Sequence, residues 1–431
     1  MKNSSKQMIA VLGAGPMGLA VAYQLIKDGK QPVLFEADNR VGGMTASFDF
    51  NGLQIERFYH FHCTSDRGFI GMLEELGLAD KLHWVHTKMA YYYRGTVYPW
   101  GNPFALLRFP GLNIVEKFRV GLFVFLATKR NDWRALDKLE ATAWMKRWMG
   151  KKTYDVLWRK LFDFKFYDYA EQLSAAWIWA RIRRIGRSRY SLFKEKLGYL
   201  DGGSKTLMEA MAAYISINGG QINLQTPVQK VVIENGRVCG LQIGDVLQAF
   251  DRVISTVPLP YVSRLMPDLP SSVLQKLQAL KNIAVVCIIV KLRRPVSEYF
   301  WMNVNDPEMD IPGIVEYTNL RPLDHHIVYV PYYMPGEHSK FAEPDEIFIE
   351  KVKKYLVTIN PALGNEDFID IRVNRYRFAQ PVCGPDFLQT LPPVQMPVDG
   401  LLVADTSYYY PEDRGISESI DFGRSMARML S

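Results

Sequence analysis

The feature that most constrains this 431-residue chain is a short apolar segment that runs directly into a glycine-rich turn. Residues 8–12 (MIAVL) have the composition of a buried parallel strand, and three glycines follow in the spacing GxGxxG. These glycines are Gly13, Gly15 and Gly18. Apolar residues then recur at helical spacing as far as Gly29, and residues 32–35 (PVLF) predict a second strand that ends at Glu36. This order predicts a β-α-β unit.

Each glycine of this turn has a physical role in holding an adenine dinucleotide. Gly13 lets the chain turn tightly, Gly15 lets the backbone approach a pyrophosphate, and Gly18 lets helix and strand pack closely. The N–H groups at the helix N-terminus favour the phosphate charge. Glu36 is placed to accept hydrogen bonds from a ribose diol, which argues against NADP. The other residues of the predicted loop are Ala14, Pro16 and Met17.

The ten residues from Glu36 onward favour FAD over NAD. This segment, EADNRVGGMT, resembles the acid-x3-Arg-x-Gly-Gly segment of the flavoprotein superfamily of amine oxidases, protoporphyrinogen oxidase, phytoene desaturases and UDP-galactopyranose mutase. The resemblance implies that Arg40, Gly42 and Gly43 line the FAD diphosphate and ribityl chain. Paired glycines also free backbone N–H groups for anion contacts. The other residues that the resemblance assigns to the cofactor are Ala37, Met44 and Thr45.

Later segments extend the resemblance. Residues 202–204 (GGS), 226–228 (TPV) and 255–258 (STVP) are similar to the family's second FAD stretch. There the backbone of a valine meets the adenine, which implies this role for Val228, and Thr256 joins the predicted cofactor set. The alternative for Val228 is a plain sheet residue.

The end of the chain resembles the family's closing motif. After the apolar residues 401–404, the resemblance implies that Asp405 holds the ribityl chain. It also implies that a helix start aims its N-terminus at the flavin C2 carbonyl and stabilises negative charge on reduced flavin. That helix start is Gly415, Ile416 and Ser417. Cys383 departs from the cysteine context of covalent flavoenzymes, so we expect non-covalent FAD, with a thioether to Cys383 as the alternative.

The resemblance implies an α/β fold: a Rossmann-like FAD-binding domain of the GR2-type flavoprotein fold with an interleaved α+β substrate domain. We predict that the FAD-binding domain is assembled from residues 1–85, 201–265 and 386–431. The substrate domain would comprise a helical segment, 86–200, and a sheet, 266–385.

Local patterns refine this organisation. Arg94-Gly95 predicts a hairpin, and Asn235-Gly236 predicts another. Apolar periodicity predicts three helices and a strand in the regions between the FAD segments. The helices are 114–128, 137–149 and 171–185, and the strand is 228–233.

Two histidines are candidates for chemistry at the flavin. The segment that holds His60 and His62 most resembles the region of UDP-galactopyranose mutase where a histidine lies beside the isoalloxazine, with His60 the better match. A histidine there would modulate flavin N5 or shuttle a proton near neutral pH. A packed histidine pair is the alternative. A metal cluster with Cys63 has poor spacing for tetrahedral zinc, so we predict no metal.

Further candidates lie near the C-terminus, where aromatic rings and an arginine would orient a substrate and stabilise charge. They are Tyr376, Gln380, Tyr410 and Arg414. The run 408–410 is equally consistent with packing at a sheet edge. The lysine that many amine oxidases keep near N5 is not recognisable, because nothing in the context of Lys281 or Lys291 supports either one.

Composition limits the partners. The chain has 52 basic and 45 acidic residues, a net charge of +7 that permits an anionic partner. Residues 104–130 predict an apolar helix with basic ends that contacts a membrane surface, with a helix buried in the substrate domain as the alternative. Residues 181–196 hold seven basic residues, which indicate either a solvated face or phosphate recognition on a lipid head or nucleotide sugar. No nucleic-acid-binding module is recognisable.

The cysteines and the hydropathy pattern indicate a compartment. Four cysteines occur without a CxxC pair, which fits a reducing environment. No stretch reaches the roughly 18–20 apolar residues that span a bilayer. We therefore expect a cytoplasmic protein that is peripheral at the inner membrane face.

The sequence predicts an FAD-dependent oxidoreductase with a small-molecule substrate that is lipid-like or phosphate-bearing. Hydride would pass from a C–H bond of an apolar or amphipathic molecule to flavin N5, and desaturase- or protoporphyrinogen-oxidase-like chemistry is favoured over amine oxidation. Two alternatives stay open. One is a redox-neutral relative of UDP-galactopyranose mutase that acts on a nucleotide sugar, and the other is a flavin-binding scaffold without turnover.

Overall fold

The structure is a computed structural model that describes residues 7–187, 189–191 and 194–430. A five-stranded sheet with four parallel pairings lies at its centre, and we call it the parallel sheet. Its strands, in spatial order, are Gln221–Asn223, Pro32–Phe35, Ile9–Leu12, Arg252–Ser255 and Leu401–Val403. Because parallel neighbours need crossover connections, the chain repeatedly leaves this sheet and returns to it.

The predicted β-α-β unit is confirmed. Helix Pro16–Lys27, the first helix, connects strands Ile9–Leu12 and Pro32–Phe35. Leu12 lies opposite Phe35 on one side and opposite Ser255 on the other, so the first strand is central. All four of its residues are buried, as expected for a strand that is covered on both faces.

Helices from distant parts of the chain cover the parallel sheet. The first helix packs against Ile416–Arg428, the closing helix, and against Ser204–Ile217. At Gly423 the contact is so close that a Cβ would lie 2.4 Å from the carbonyl oxygen of Met17. The sheet and its helices therefore draw on the beginning, the middle and the end of the chain.

A seven-stranded sheet, the large sheet, forms the second layer. Its strands, in spatial order, are Phe368–Pro381, Asn282–Leu292, His326–Pro335, Gly313–Glu316, Trp301–Asn305, Met89–Tyr93 and Thr96–Trp100. Alternate residues of its longest buried strand enter different cores: Val285 and Cys287 pack in the main core, whereas Ala284 and Val286 pack with helix Asp345–Ile359. The main-core face is the one that meets the other layers.

Three smaller antiparallel sheets complete the described strands. They are Lys230–Glu234, Arg237–Ile243 and Val246–Ala249; His62–Cys63, Lys194–Leu200, Leu82–Thr87 and Arg189–Ser191; and Ser47–Asp49 with Gln54–Glu56. Both predicted hairpins are present, at Arg94-Gly95 and at Asn235-Gly236, and each has its non-glycine residue in the left-handed region.

The remaining helices lie between and around the sheets. The α-helices not yet named are Arg67–Glu75, Pro103–Arg108, Ile114–Lys129, Arg134–Asp137, Ala141–Met149, Lys151–Leu157, Arg159–Phe166, Ala175–Arg187, Leu259–Leu265, Ser271–Ala279 and Phe387–Thr390. The short 3-10 helices are Gly43–Thr45, Ala79–Lys81, Tyr167–Tyr169, Tyr317–Asn319, Ser339–Ala342, Asn365–Asp367 and Thr406–Tyr409.

Two local predictions were wrong in detail. The helix predicted over 137–149 is interrupted, because the N–H of Ala141 donates to Leu173 O at 2.7 Å and leaves two separate helices. The strand predicted from Val228 begins at Lys230, so Val228 precedes the sheet. Within the described residues, no helix is both long enough and apolar enough to cross a membrane.

Candidate cofactor and substrate site

The glycine turn is packed so closely that two of its glycines leave no room for a side chain. A Cβ on Gly18 would lie 1.8 Å from the carbonyl oxygen of Gly13, and one on Gly13 would lie 2.9 Å from Thr256 Oγ1. Gly13 also has φ +94°, a region that favours glycine. Gly15 differs, because a Cβ there would meet a single described atom within 4 Å, Gly43 Cα at 3.9 Å. Bare main chain is therefore exposed at Gly15.

A second glycine loop lies against the first. The N–H of Gly42 donates to Ala14 O at 2.8 Å, and a Cβ on Gly43 would lie 3.3 Å from Gly15 Cα. Gly42 and Gly43 both have positive φ, at +113° and +54°. The two loops present adjacent stretches of main chain without side chains.

The side chains of the second loop brace the loop itself. Arg40 Nη1 donates to Ser47 O at 2.7 Å, and Thr45 Oγ1 donates to Gly42 O at 2.8 Å. Met44 is half-buried in the same short helical turn. A cavity of about 410 Å³ opens beside Arg40 and Thr45 and extends to helix Ser204–Ile217.

Glu36 lies at the end of its strand, beside the first glycine loop. Its carboxylate accepts hydrogen bonds from Ala14 N–H at 2.8 Å and from Asp38 N–H at 2.9 Å. Thr226 N–H donates to Glu36 O at 2.8 Å, which brings the segment of Val228 alongside. Ala37 is exposed at the same edge. The residues predicted to surround the ribose and adenine are thus neighbours.

The glycine turn is also supported by Thr256, Pro16 and Met17. Thr256 Oγ1 donates to Leu12 O at 2.8 Å, at the point where the strand enters the turn. Pro16 is the first residue of the first helix, where its missing N–H costs nothing. Met17 is buried.

The closing helix starts without a side-chain cap. Gly415 is its N-cap residue and supplies no capping oxygen. The carboxylate of Glu418, in the first turn, lies beside Gly415 and accepts a hydrogen bond from its own backbone N–H, and the other first-turn N–H groups have no side-chain cap. Ile416 is buried, and Ser417 Oγ accepts from Phe69 N–H at 3.2 Å. The Ser417 hydroxyl is thus used in packing the helix.

Asp405 follows the last strand of the parallel sheet and is buried. Its two carboxylate oxygens accept from Leu259 N–H and Ser407 N–H, each at 2.8 Å. Burial raises the pKa of Asp405, and these hydrogen bonds oppose the rise. Its carboxylate holds two chain segments together at the end of the sheet.

Arg414, two residues before the closing helix, lies opposite the main-core face of the large sheet. Its guanidinium donates to Ala379 O. Tyr376 and Tyr333 share that face, because both pair with Val285. Burial raises the pKa of both tyrosines, and the charge of Arg414 opposes the rise. We call the residues around this arginine the Arg414 cluster: Tyr59, Lys165, Arg181, Tyr333, Tyr376 and Arg414.

Gln380 lies on the same face of the large sheet, because it pairs with Ile283 two positions before Val285. Its side chain is 1% exposed, and neither its Oε1 nor its Nε2 has a hydrogen-bond partner among the described residues. A buried amide without a partner is costly, so this one indicates a ligand or water that completes the site.

Lys165 is a cluster residue that sequence reasoning did not select, and Arg181 was singled out only as part of the basic stretch 181–196. Lys165 Nζ lies 4.9 Å from the centre of the Tyr333 ring, and Arg181 pairs with Asp413 at 2.6 Å. Lys165 stands in the aromatic run FDFKFYDY, which is the signal that could have singled it out. Lys291, by contrast, is buried against Asn51 O at 3.0 Å, and Lys281 is exposed.

Tyr410 does not face this cluster through its hydroxyl. The hydroxyl is hydrogen-bonded to Asp137 and to Ser174 Oγ, and the ring packs edge-on against Trp133. Residues 406–409 form a 3-10 helix that contacts Phe368–Pro381, an edge strand of the large sheet, in line with the alternative of packing at a sheet edge. Tyr410 anchors the loop before the closing helix to the helical segment.

The two histidines have separate environments. His60 Nδ1 lies 2.5 Å from Glu56 Oε2, and Glu56 Oε1 accepts from Ser204 N–H at 2.7 Å. His62 stacks on Phe69 with ring centres 3.5 Å apart. Burial lowers the pKa of His62 well below its usual value, so it stays neutral at physiological pH. These features favour the alternative of a packed histidine for His62, and its role as a proton shuttle stays a prediction.

The first three basic residues of the stretch 181–196 form ion pairs, whereas Arg187 donates to the amide oxygen of Asn131 at 2.8 Å. Arg181, Arg183 and Arg184 pair with carboxylates of the closing loop and of the helix Arg67–Glu75 N-terminus. These carboxylates are Asp413, Glu412 and Asp66. The side chains of Arg189 and Lys194 lie outside the described residues. No group of three metal-ligating side chains occurs in the described part of the chain.

Comparison with known proteins places the chain in a family. Residues 18–410 match the model of the flavin containing amine oxidoreductases. The protein belongs to this family. The predicted superfamily and the predicted fold class are confirmed, and FAD is the cofactor of this flavin-containing oxidoreductase.

Curated relatives of this flavoprotein include desaturases and oxidases. A 15-cis-phytoene desaturase of an Oncidium hybrid cultivar is 24% identical over 302 residues, which cover 64% of this chain and 51% of that protein. Protoporphyrinogen oxidase 2 of Arabidopsis thaliana is 34% identical over 132 residues, which cover 30% of this chain and 26% of that protein. The flavoprotein thus spans about half the length, or less, of these relatives.

Solved structures share the whole fold. A putative protoporphyrinogen oxidase from Exiguobacterium sp. 255-15 has TM-score 0.77 at 19% identity and covers 99% of both chains. Putrescine oxidase bound to putrescine has TM-score 0.74 at 18% identity and covers 98% of both chains. The curated relatives and the solved structures named above are oxidases and desaturases, and they give no support to the mutase alternative.

The residues present fit FAD. Bare main chain at Gly15 and Gly43 leaves space that a Cβ would enter, and two uncapped helix N-termini begin at Gly15 and Gly415. A dinucleotide diphosphate and a reduced flavin both carry the negative charge that such N-termini favour. The roles of the individual residues toward FAD stay predictions.

Proposed function

We propose that this flavoprotein oxidises a C–H bond of an apolar or amphipathic substrate, in the manner of a desaturase or a protoporphyrinogen oxidase. When bound, FAD supplies the hydride acceptor at N5. The observation that carries the proposal is the aromatic lining of the Arg414 cluster beside the uncapped start of the closing helix. Such a lining takes an apolar body, and few polar groups fix its orientation.

The chain's own residues would bind and orient the substrate. The hydroxyls of Tyr59 and Tyr333 are hydrogen-bonded to each other, and burial keeps both protonated by raising their pKa. Neither can therefore serve as a base near neutral pH. Uncapped N–H groups at the start of the closing helix would stabilise negative charge that develops on the cofactor.

Amine oxidation is the less favoured form of this chemistry. Lys165, Arg181 and Arg414 bring three cationic groups to the cluster, and Asp413 pairs directly with one of them. A protonated amine would be repelled there.

Anaerobic reduction of the flavin tests this proposal. The FAD-loaded protein is mixed without oxygen with 15-cis-phytoene, protoporphyrinogen or putrescine, and loss of the oxidised-flavin absorbance is followed. We expect reduction by an apolar or amphipathic donor and none by putrescine. Reduction by putrescine alone would contradict the proposal, and FAD-loaded protein without donor is the control.

We also propose that the protein contacts an anionic membrane surface through one helical patch. Eight apolar side chains between residues 104 and 126 are 40–70% exposed. They are Phe104, Leu107, Ile114, Val115, Phe118, Leu122, Phe125 and Leu126. Basic residues 108, 117, 119, 129 and 130 lie in the same segment, and this charge favours anionic lipid over a second apolar protein face.

Vesicle sedimentation tests the membrane contact. We expect the wild type to pellet with phosphatidylglycerol vesicles more than with phosphatidylcholine vesicles, and the variant Phe118→Ser/Phe125→Ser to remain in the supernatant. The matched control Ile217→Ser/Val246→Ser removes exposed apolar side chains elsewhere and should pellet normally. Equal loss in both variants, or a wild type that dimerises and ignores vesicles, would refute the contact.

A further inference from the structure

Lys165 is a half-buried lysine whose amino group is surrounded by aromatic rings. It lies in helix Arg159–Phe166, and its Nζ is 4.9 Å from the Tyr333 ring centre, 5.6 Å from Trp177 and 5.7 Å from Phe166. It makes no hydrogen bond and no ion pair within 4 Å to another described residue. Rings attract a cation, but they do not replace a counter-charge.

Arg181 reaches the same tryptophan from the neighbouring helix Ala175–Arg187. Its guanidinium carbon lies 3.5 Å from the Trp177 ring centre, which is a stacked arrangement. Its Nη2 is 2.6 Å from Asp413 Oδ1, an ion pair without hydrogen-bond alignment, and Nη1 is buried with no described partner. The Arg181 guanidinium therefore has N–H donors without a described hydrogen-bond partner.

Charge at this place is unbalanced. Asp413 Oδ1 also accepts from the backbone N–H of Arg414 at 2.8 Å, so one carboxylate serves Arg181 and the main chain while Lys165 has no direct partner. Burial lowers the pKa of Lys165 well below its usual value and also lowers that of Arg181, which is the direction expected when cations lack anions. An anion would relieve this cost.

We propose that Lys165 and Arg181, which both lie against the Trp177 ring, form a subsite for a carboxylate carried by the substrate. The inference rests on the proposed function, because it assigns the substrate's charged end, while the oxidisable C–H bond belongs to its apolar body. A guanidinium fork matches a carboxylate in two hydrogen bonds, and the rings around Lys165 exclude water. The substrate class is an amphipathic carboxylate.

Ligand binding without turnover tests the subsite. Decanoate, decyl phosphate, decanol and decylamine share one apolar body and differ in the head group. Each is titrated into the FAD-loaded protein, and affinity is read from tryptophan fluorescence and from calorimetry. We expect decanoate to bind at least about tenfold more tightly than decanol, since hydrogen bonds to charged groups are worth about 1.5–3 kcal/mol. Decylamine should bind most weakly.

Single-residue variants test which side chains cause the preference for decanoate over decanol. Lys165→Met and Arg181→Met should each reduce the preference for decanoate over decanol to about twofold or less, while decanol affinity changes little. Lys165→Arg should retain the preference. Lys151→Met removes an exposed lysine of the neighbouring helix and serves as the matched control. Because Arg181→Met also breaks an ion pair, FAD content and thermal melting accompany every variant.

Three outcomes would overturn the subsite. Equal affinity for decanoate and decanol in the wild type is one, and full selectivity in Lys165→Met is another. A preference for decyl phosphate over decanoate would assign the site to a phosphate head group instead. If carboxylate selectivity holds but no carboxylate donor reduces the flavin anaerobically, the proposed function fails and the binding subsite stands.

Discussion

The two glycine loops and the Arg414 cluster are built in opposite ways. The loops lie within residues 13–45 and touch through main chain, with Gly15 and Gly43 facing each other. The cluster joins side chains from residues 59, 165, 181, 333, 376 and 414. A site built from closely packed main chain has little room for an added side chain. A site built from side chains depends on which charged and amide groups have hydrogen-bond or ion-pair partners.

The largest expected effect comes from an added methyl group in the glycine turn. Gly18→Ala places a Cβ 1.8 Å from Gly13 O, so the first strand and helix must separate. We expect the free energy of unfolding to fall by about 3 kcal/mol or more, the upper end of overpacking costs. Urea denaturation measures it.

Gly71→Ala is the matched control for Gly18→Ala. Gly71 is also a helical glycine, but a Cβ there meets nothing within 4 Å among described atoms. This change should stabilise the protein by about 0.5–1 kcal/mol. Equal effects of the two substitutions would remove the distinction between a packed turn and an ordinary helical glycine.

The next largest effect concerns a carboxyl group near the start of the closing helix, and it depends on pH. Burial raises the pKa of Glu418 in the closing helix from 4.5 to about 7. Because the folded state favours the protonated form, Glu418 costs stability as pH rises from 4.5 through 7, by up to about 3 kcal/mol for this shift. Glu418→Gln should remove this dependence, so its stability relative to wild type should increase with pH.

Denaturant titrations at several pH values across that interval test the Glu418 prediction. Glu209→Gln, at an exposed carboxylate, is the control and should follow the wild-type profile. A Glu418→Gln profile parallel to that of the wild type would show that this carboxyl does not titrate there.

A smaller effect separates packing from cofactor binding in the glycine loops. Gly15→Val adds a side chain where the nearest described atom to a Cβ is 3.9 Å away, so the fold should persist. The side chain enters the space predicted for the diphosphate, so FAD affinity should fall at least about tenfold and the purified protein should be colourless. Visible absorbance and melting temperature measure the two effects, with Gly71→Val as control. A yellow, stoichiometrically loaded variant would reject the placement.

The smallest expected effect compares two buried glutamines. Gln380→Leu removes an amide without described partners and should stabilise the protein by about 1 kcal/mol. Gln24, in the first helix, donates to Asp28 and accepts from Arg424, so Gln24→Leu should destabilise by about 1–3 kcal/mol. Thermal melting of both variants measures these changes in stability. Destabilisation of similar size in both would mean that Gln380 has partners in solution.

Sequence reasoning succeeded where structure is local. The first strand, the turn, the first helix and Glu36 are contiguous, and their roles in turning and packing follow from residue size and φ. The interruption at Ala141 was missed because it depends on a hydrogen bond to Leu173. The hydrogen bonds of the Tyr410 hydroxyl were missed for the same reason, since its partners Asp137 and Ser174 lie more than 230 residues away in the sequence.

The amino-acid sequence alone therefore determined the β-α-β unit, the paired glycine loops and the flavoprotein family, because a main-chain binding surface needs small residues at fixed local spacing. Only the tertiary structure decided that His62 stacks on Phe69 and that Lys165 and Arg181 lie near Arg414. Which side chains pair depends on which helices and strands pack together across long sequence separations, and no local sequence pattern predicts that packing.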